Sequence, residues 1–187
     1  MSLIQQGGIM MWPLILLSIP ALGILIERFI FFLSHPFPFS NGRLLPKELE
    51  EQNLFLPFFD SLSSGIPAEE KEEKATLAAK EILYAFGRRL DFLSTVATAA
   101  PLLGLLGTVV GMVQAFSKLA GAHGAMDISL LADGIWHALL TTAAGLVVAI
   151  PSLMAHQWFC SRTRDTAFEM EHYANQIISQ SGIKHHD

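Results

Sequence analysis

The chain has 187 residues, 51% hydrophobic and only 16% charged, with a net charge of −5 and one cysteine. A charge fraction so far below the roughly 25% of soluble domains excludes an ordinary soluble globular protein. The lone Cys160 excludes a disulfide scaffold, and the mild acidity leaves no basic face to neutralise the phosphates of a nucleic acid.

The distribution of charge places the elements. Residues 1–26 carry no Asp, Glu, Lys or Arg, and Glu27 closes that gap. A bilayer core about 30 Å thick needs roughly 20 apolar residues in a helix. The spacing therefore predicts a first membrane helix near 9–33. It has no basic n-region and no small-x-small cleavage site, so an uncleaved span is expected and not a signal peptide. Residues 34–67 hold Pro36, Pro38, Pro46, Pro57 and Pro67 with Gly42 and Gly65, a composition of turns and short helices. After Pro67 the chain becomes Ala-Glu-Glu-Lys-Glu-Glu-Lys-Ala, and early glutamates complement the positive end of a helix. Ala75, Ala79, Ile82, Phe86, Leu90 and Leu93 follow at spacings of 4, 3, 4, 4 and 3, one helical stripe. With no breaker recognised, that stripe is expected to run straight into the second span.

Asp91 and Lys118 bracket the second charge-free gap, 92–117, and predict a span near 95–117. Asp133 and Arg162 bracket the third, interrupted only by His137 and His156, and predict a span near 132–157. Phe159, Thr163, Thr166, Met170, Tyr173 and Ile177 continue at 4-3-4-3-4 beyond it. Two helices of about 50 residues, each roughly 75 Å long at 1.5 Å per residue, are expected. The expected fold is an all-α membrane protein of three transmembrane helices with long helical extensions. Its segments are 1–33, 34–94, 95–117, 118–131, 132–157 and 158–187.

Lys and Arg near the membrane set the orientation. Residues 1–8 have none and 118–131 only Lys118, whereas 34–94 holds seven, among them Arg88 and Arg89. The tail adds Arg162, Arg164 and Lys184. The N-terminus is expected outside, with the C-terminus and both helical extensions in the cytoplasm.

No enzyme motif is present: neither nucleotide-binding glycine pattern, nor HExxH, CxxC or GxSxG. No catalytic residue, cofactor or metal is expected, and His185 and His186 read as a solvated tail. Gly104, Gly107 and Gly111 on span two, with Ala138, Ala143, Ala144, Gly145 and Ala149 on span three, form small-residue faces. Such faces let helix backbones approach closely in lipid. Polar residues lie among them: Thr95, Thr98, Thr108 and Gln114, then His137, Thr141 and Thr142. An ionisable side chain inside a span is a functional hypothesis by default. Asp133, His137 and Thr141 are four residues apart in turn and share one helical face.

The run Ala100-Pro101-Leu-Leu-Gly104-Leu-Leu-Gly107-Thr108-Val-Val-Gly111 closely resembles the second span of the ExbB/TolQ proton-channel family, which is related to MotA. The run Gly134-Ile-Trp-His137-Ala-Leu-Leu-Thr-Thr142-Ala-Ala-Gly145 resembles its third span. Met11-Trp-Pro-Leu-Ile-Leu-Leu, with Ile26-Glu27-Arg28-Phe29, resembles its first. The resemblance implies a multi-pass protein of the bacterial inner membrane, a homopentamer around single-span ExbD/TolR-like partners. It implies ion flow that drives a TonB- or TolA-like protein. Thr108 and Thr142 match the family's pore threonines. Where the family's third-span motif carries a glutamate, this chain has His137. Three readings of that histidine stand: a proton relay beginning near Asp133, a neutral structural substitute for the glutamate, and a residue that shapes the pocket of the partner's aspartate while that aspartate alone carries the ion. A non-conducting scaffold of the same fold is the alternative function.

Overall fold

The computed structural model describes residues 11–35, 39–40, 43–44, 54–62, 67–121 and 128–183. The expectations for Pro36, Pro38, Gly42, Pro46, Gly65, Lys184, His185 and His186 fall outside them. In chain order the elements are α1 (Met11–Ser34), β1 (Phe39–Ser40), β2 (Arg43–Leu44), α2 (Leu56–Ser61), α3 (Ala68–Gly87), α4 (Leu90–Gly121) and α5 (Ile128–Ile183). The two strands pair antiparallel, Phe39 with Leu44 and Ser40 with Arg43. This small hairpin is the one departure from helix among the described elements. Three helical stretches, Met11–Ser34, Glu69–Gly121 and Leu131–Ser179, are long and apolar enough to cross a membrane. The chain is a multi-pass membrane protein.

Each of the three long helices contains a proline, at Pro20, Pro101 and Pro151, and runs through it. Such prolines are tolerated in membrane helices, where neighbouring helices and hydroxyl side chains satisfy the freed backbone groups.

Two compact units are formed, Met1–Glu27 with Asp91–His156, and Arg28–Leu90 with Gln157–Asp187. The second is built around phenylalanine. Phe55 and Phe58, flanking the start of α2, are fully buried with Ala75, Ala78, Ile82 and Phe86 of α3 and Met170 of α5. The Phe86 ring meets Phe32 edge-on at 5.1 Å and Phe31 at 5.3 Å, both favourable arrangements of the ring quadrupoles. Phe32 also lies 4.8 Å from Phe159. Beside this cluster the Arg28 side chain is only 4% exposed. Its Nη1 donates to the Ala85 carbonyl oxygen at 2.8 Å, and its guanidinium lies 5.1 Å from the Phe31 ring centroid. A buried cation is tolerated where hydrogen bonds and an aromatic face replace its water.

The predicted stripe of α3 is largely the buried one: Ala75, Ile82, Phe86, Leu90 and Leu93 are in the core. The helix, however, does not run on into the second span. The Arg88 N–H closes α3 on the Tyr84 carbonyl oxygen, Arg88 turns extended (ψ 133°), and Arg89 adopts φ 65°. A left-handed residue with a β-carbon costs about 1–2 kcal/mol, and it ends the helix outright. Gly87, the weakest helix former of this stretch, immediately precedes the break. Because Phe86 and Leu90 stay buried on either side, the apolar spacing hides it. α5, by contrast, is continuous over 56 residues and joins the third span to its tail.

Candidate functional site

The first unit is organised along one seam between α4 and α5. On α4 the residues Ala97, Ala100, Gly104, Gly107, Gly111 and Ala115 recur at 3- and 4-residue spacing. On α5 their counterparts are Gly134, Ala138, Thr141, Gly145 and Ala149. A β-carbon placed on Gly104 would stand 3.0 Å from the Thr142 α-carbon and 3.2 Å from the Thr141 carbonyl oxygen. One on Gly107 would collide with the Thr141 side chain, and one on Gly111 would lie 3.0 Å from the Ala138 β-carbon. The fit is reciprocal. A β-carbon on Gly145 would be 2.6 Å from the Ala100 carbonyl oxygen, and one on Gly134 would strike the Ala115 β-carbon. The two backbones thus approach as closely as small residues in lipid allow. Gly134 was named in the third-span motif but not counted in its small-residue face, although its spacing to Ala138 carries the signal.

The threonines divide into two environments. Thr141 is 1% exposed, with its methyl against Gly107 and its Oγ1 donating to the His137 carbonyl oxygen at 3.0 Å. Thr142 reaches across the seam, and its Oγ1 donates to the Gly104 carbonyl oxygen at 3.0 Å. Thr108 lies beside the seam. Its Oγ1 donates to its own helix, at the Leu105 carbonyl oxygen, 2.7 Å away. Thr95 and Thr98 back-bond in the same way, to Asp91 and to Ser94 and Thr95. Each hydroxyl proton is therefore engaged, and the oxygen lone pairs are what these side chains offer to water or to an ionised partner.

Toward the start of α5, His137 and Asp133 form an i,i+4 pair. Nδ1 of His137 is 2.6 Å from the Asp133 carbonyl oxygen and 3.4 Å from its carboxylate Oδ1. The Asp133 side chain is 69% exposed and that of His137 32%. The structure therefore brings His137 together with Asp133, and Thr141 and Thr142 together with Gly104 and Gly107. Among the described residues no three His, Cys, Asp or Glu are grouped to hold a metal ion. The arrangement offers an imidazole, a carboxylate and hydroxyl oxygens along one helix pair.

Comparison with known proteins agrees with this chemistry. Residues 41–172 match the model of the MotA/TolQ/ExbB proton channel family. The chain is 30% identical to biopolymer transport protein exbB1 of Vibrio cholerae, over 92% of its own length and 84% of that protein's. It is 34% identical to a putative ExbB-like biopolymer transport protein of Synechocystis, covering 80% of this chain and 66% of the relative. With the Tol-Pal system protein TolQ of Haemophilus influenzae it shares 39% identity over 58% of this chain, and spans less than half of that protein. A matched segment that includes all of α4 and most of α5, and so the whole seam, makes this chain a member of the MotA/TolQ/ExbB proton channel family, whose proteins are transporters and channels and not enzymes.

Proposed function

We propose that the chain is the ring-forming subunit of a proton channel in a bacterial inner membrane. It works with a single-span ExbD/TolR-like partner and drives a TonB- or TolA-like protein in outer-membrane transport or maintenance. The observation that carries this reading is the α4–α5 seam. Its glycines and alanines are used up inside one subunit, so other faces must serve assembly. Leu102, Leu105, Val109, Val113 and Phe116 on α4, with Trp136, Leu139, Val147 and Ile150 on α5, are exposed in the single chain. An exposed apolar surface of this extent suits lipid and neighbouring copies of the same chain.

In this arrangement spans 9–33, 95–117 and 132–157 cross the membrane with the N-terminus outside, and 34–94 and 158–187 extend into the cytoplasm. Five subunits enclose a channel lined by the second and third spans, with the first span against lipid. Thr108 and Thr142 offer hydroxyl oxygens to channel water or to the partner's carboxylate. His137, with Asp133 at the outer end, is the ionisable group that replaces the family glutamate, and Thr141 supports its turn. Native mass spectrometry of the purified complex with its partner tests assembly. A multimer of this chain is expected, and a stable monomer in mild detergent would contradict the reading.

One observation favours a second reading. With His137 in the glutamate position, no carboxylate lies deep in any of the three spans, since Glu27 and Asp133 are at their edges. A subunit that organises its partner without conducting would tolerate that loss.

A further inference from the structure

The ring of His137 meets two oxygens of the residue one turn before it. Nδ1 is 2.6 Å from the Asp133 carbonyl oxygen and 3.4 Å from Oδ1 of its carboxylate. A carbonyl oxygen carries lone pairs and no proton, so a contact this short places the hydrogen on Nδ1. An ionised carboxylate also only accepts. Both groups therefore select the same tautomer. In a neutral imidazole with hydrogen on one nitrogen, the other holds the lone pair. That nitrogen is Nε2. His35 makes the equivalent Nδ1 bond to the Phe31 carbonyl oxygen at 2.9 Å, but with a phenylalanine and no carboxylate at that position.

We infer that Nε2 of His137 is the single atom at which this ring takes up and gives back a proton, with Asp133 as its positioning residue. The inference rests on the reading of His137 as part of the ion path. A proton arriving from water bonds to the Nε2 lone pair and makes an imidazolium, in which both nitrogens are donors. The Nδ1–H stays on Asp133, and the new positive charge lies beside its carboxylate. Release breaks the same Nε2–H bond and restores the neutral ring. Entry at Nδ1 is closed while that nitrogen holds its hydrogen, and passage through the ring, in at Nε2 and out at Nδ1, would instead strip Nδ1 of its hydrogen and set its lone pair against the carbonyl oxygen in every cycle. The direction of transfer is therefore set by what Nε2 faces, and not by the two ends of the ring. Thr141 cannot supply the proton while its hydroxyl hydrogen is engaged by the His137 carbonyl oxygen. Across the seam the neighbouring turns carry Gly111 and Ala115, both uncharged, and Lys118 follows one turn beyond Ala115.

Solid-state NMR of the full chain in lipid bilayers, labelled with 15N-histidine, reads the tautomer directly. The His137 signals are assigned as those missing from His137→Gln. The expected spectrum has Nδ1 protonated and Nε2 bare at high pH, with Nε2 alone gaining a proton as the pH falls. A resting ring protonated on Nε2, or an equal mixture, overturns the inference. A second arm replaces His137 with encoded Nε2-methylhistidine or Nδ1-methylhistidine and measures proton flux in liposomes with the partner. Methylation of Nε2 should reduce flux to the level of His137→Gln, whereas methylation of Nδ1 should retain more. Parental flux with Nε2 methylated, or with His137→Gln, overturns the inference. An unsubstituted complex that passes no protons defeats the channel reading instead, and the NMR titration still decides the tautomer.

Discussion

Thr142 and Gly104, 38 residues apart in the chain, are joined by a 3.0 Å hydrogen bond from the threonine hydroxyl to the glycine carbonyl oxygen. The bond is possible because Gly104 has no side chain to hold α5 away. Intramembrane hydrogen bonds average only about 0.6 kcal/mol in measured cycles. Thr142→Val should therefore fold and assemble, with a stability loss of that order, while losing energy transduction. Thr142→Ser should restore it. Thermal unfolding in detergent alongside a transport assay separates the two effects.

Thr108 makes a parallel case with a different outcome for packing. Its hydroxyl serves only the Leu105 carbonyl oxygen of its own helix in this subunit. Thr108→Val should leave the α4–α5 seam and its stability unchanged within about 0.5 kcal/mol, yet reduce transport. If both valine variants transport normally, the two residues are packing threonines and line no path.

The glycines give a steric prediction with an internal control. A β-carbon on Gly107 collides with Thr141, whereas one on Gly23 of α1 meets nothing within 4 Å. Gly107→Ala should destabilise by about 1–3 kcal/mol, the usual cost of overpacking, and Gly107→Leu should abolish assembly. Gly23→Ala should be neutral or slightly stabilising, since alanine is the better helix former. Comparing detergent-resistant assembly of the three variants checks this.

Much of the seam was legible in advance because it is a spacing. Gly104, Gly107 and Gly111 fall 3 and 4 residues apart in a charge-free gap, and small residues in such a pattern mean close helix contact. The continuous helix through the third span and its tail was legible for the same reason. The break at Arg88–Arg89 was not, because Phe86 and Leu90 keep the buried rhythm across it. Nor was the role of Arg28, which depends on Ala85 and Phe31 converging on it in three dimensions. The α2 aromatics were illegible as core, since a six-residue helix after a proline-rich stretch has no measurable period. For the site, the sequence placed Asp133, His137 and Thr141 on one face. It could not show that Thr141 is sealed against Gly107 while His137 remains partly open.

The second unit is held by its aromatic core, and Phe86 touches three other phenylalanines within 6 Å between centroids. Phe86→Ala should cost about 3–5 kcal/mol and release the α2 segment to proteolysis. Arg28→Leu removes the donor to the Ala85 carbonyl oxygen and should cost about 1–3 kcal/mol. Limited proteolysis at 54–62 in bilayers reports both.

Proton flux is the most direct test of the proposed channel. The chain and its single-span partner are reconstituted in liposomes carrying a pH-sensitive dye, beside Thr142→Val and His137→Gln complexes of equal assembly. A membrane potential should drive proton flux through the unsubstituted complex and much less through either variant. An assembled, partner-bound complex that passes no protons under that potential would contradict the channel and leave the scaffold.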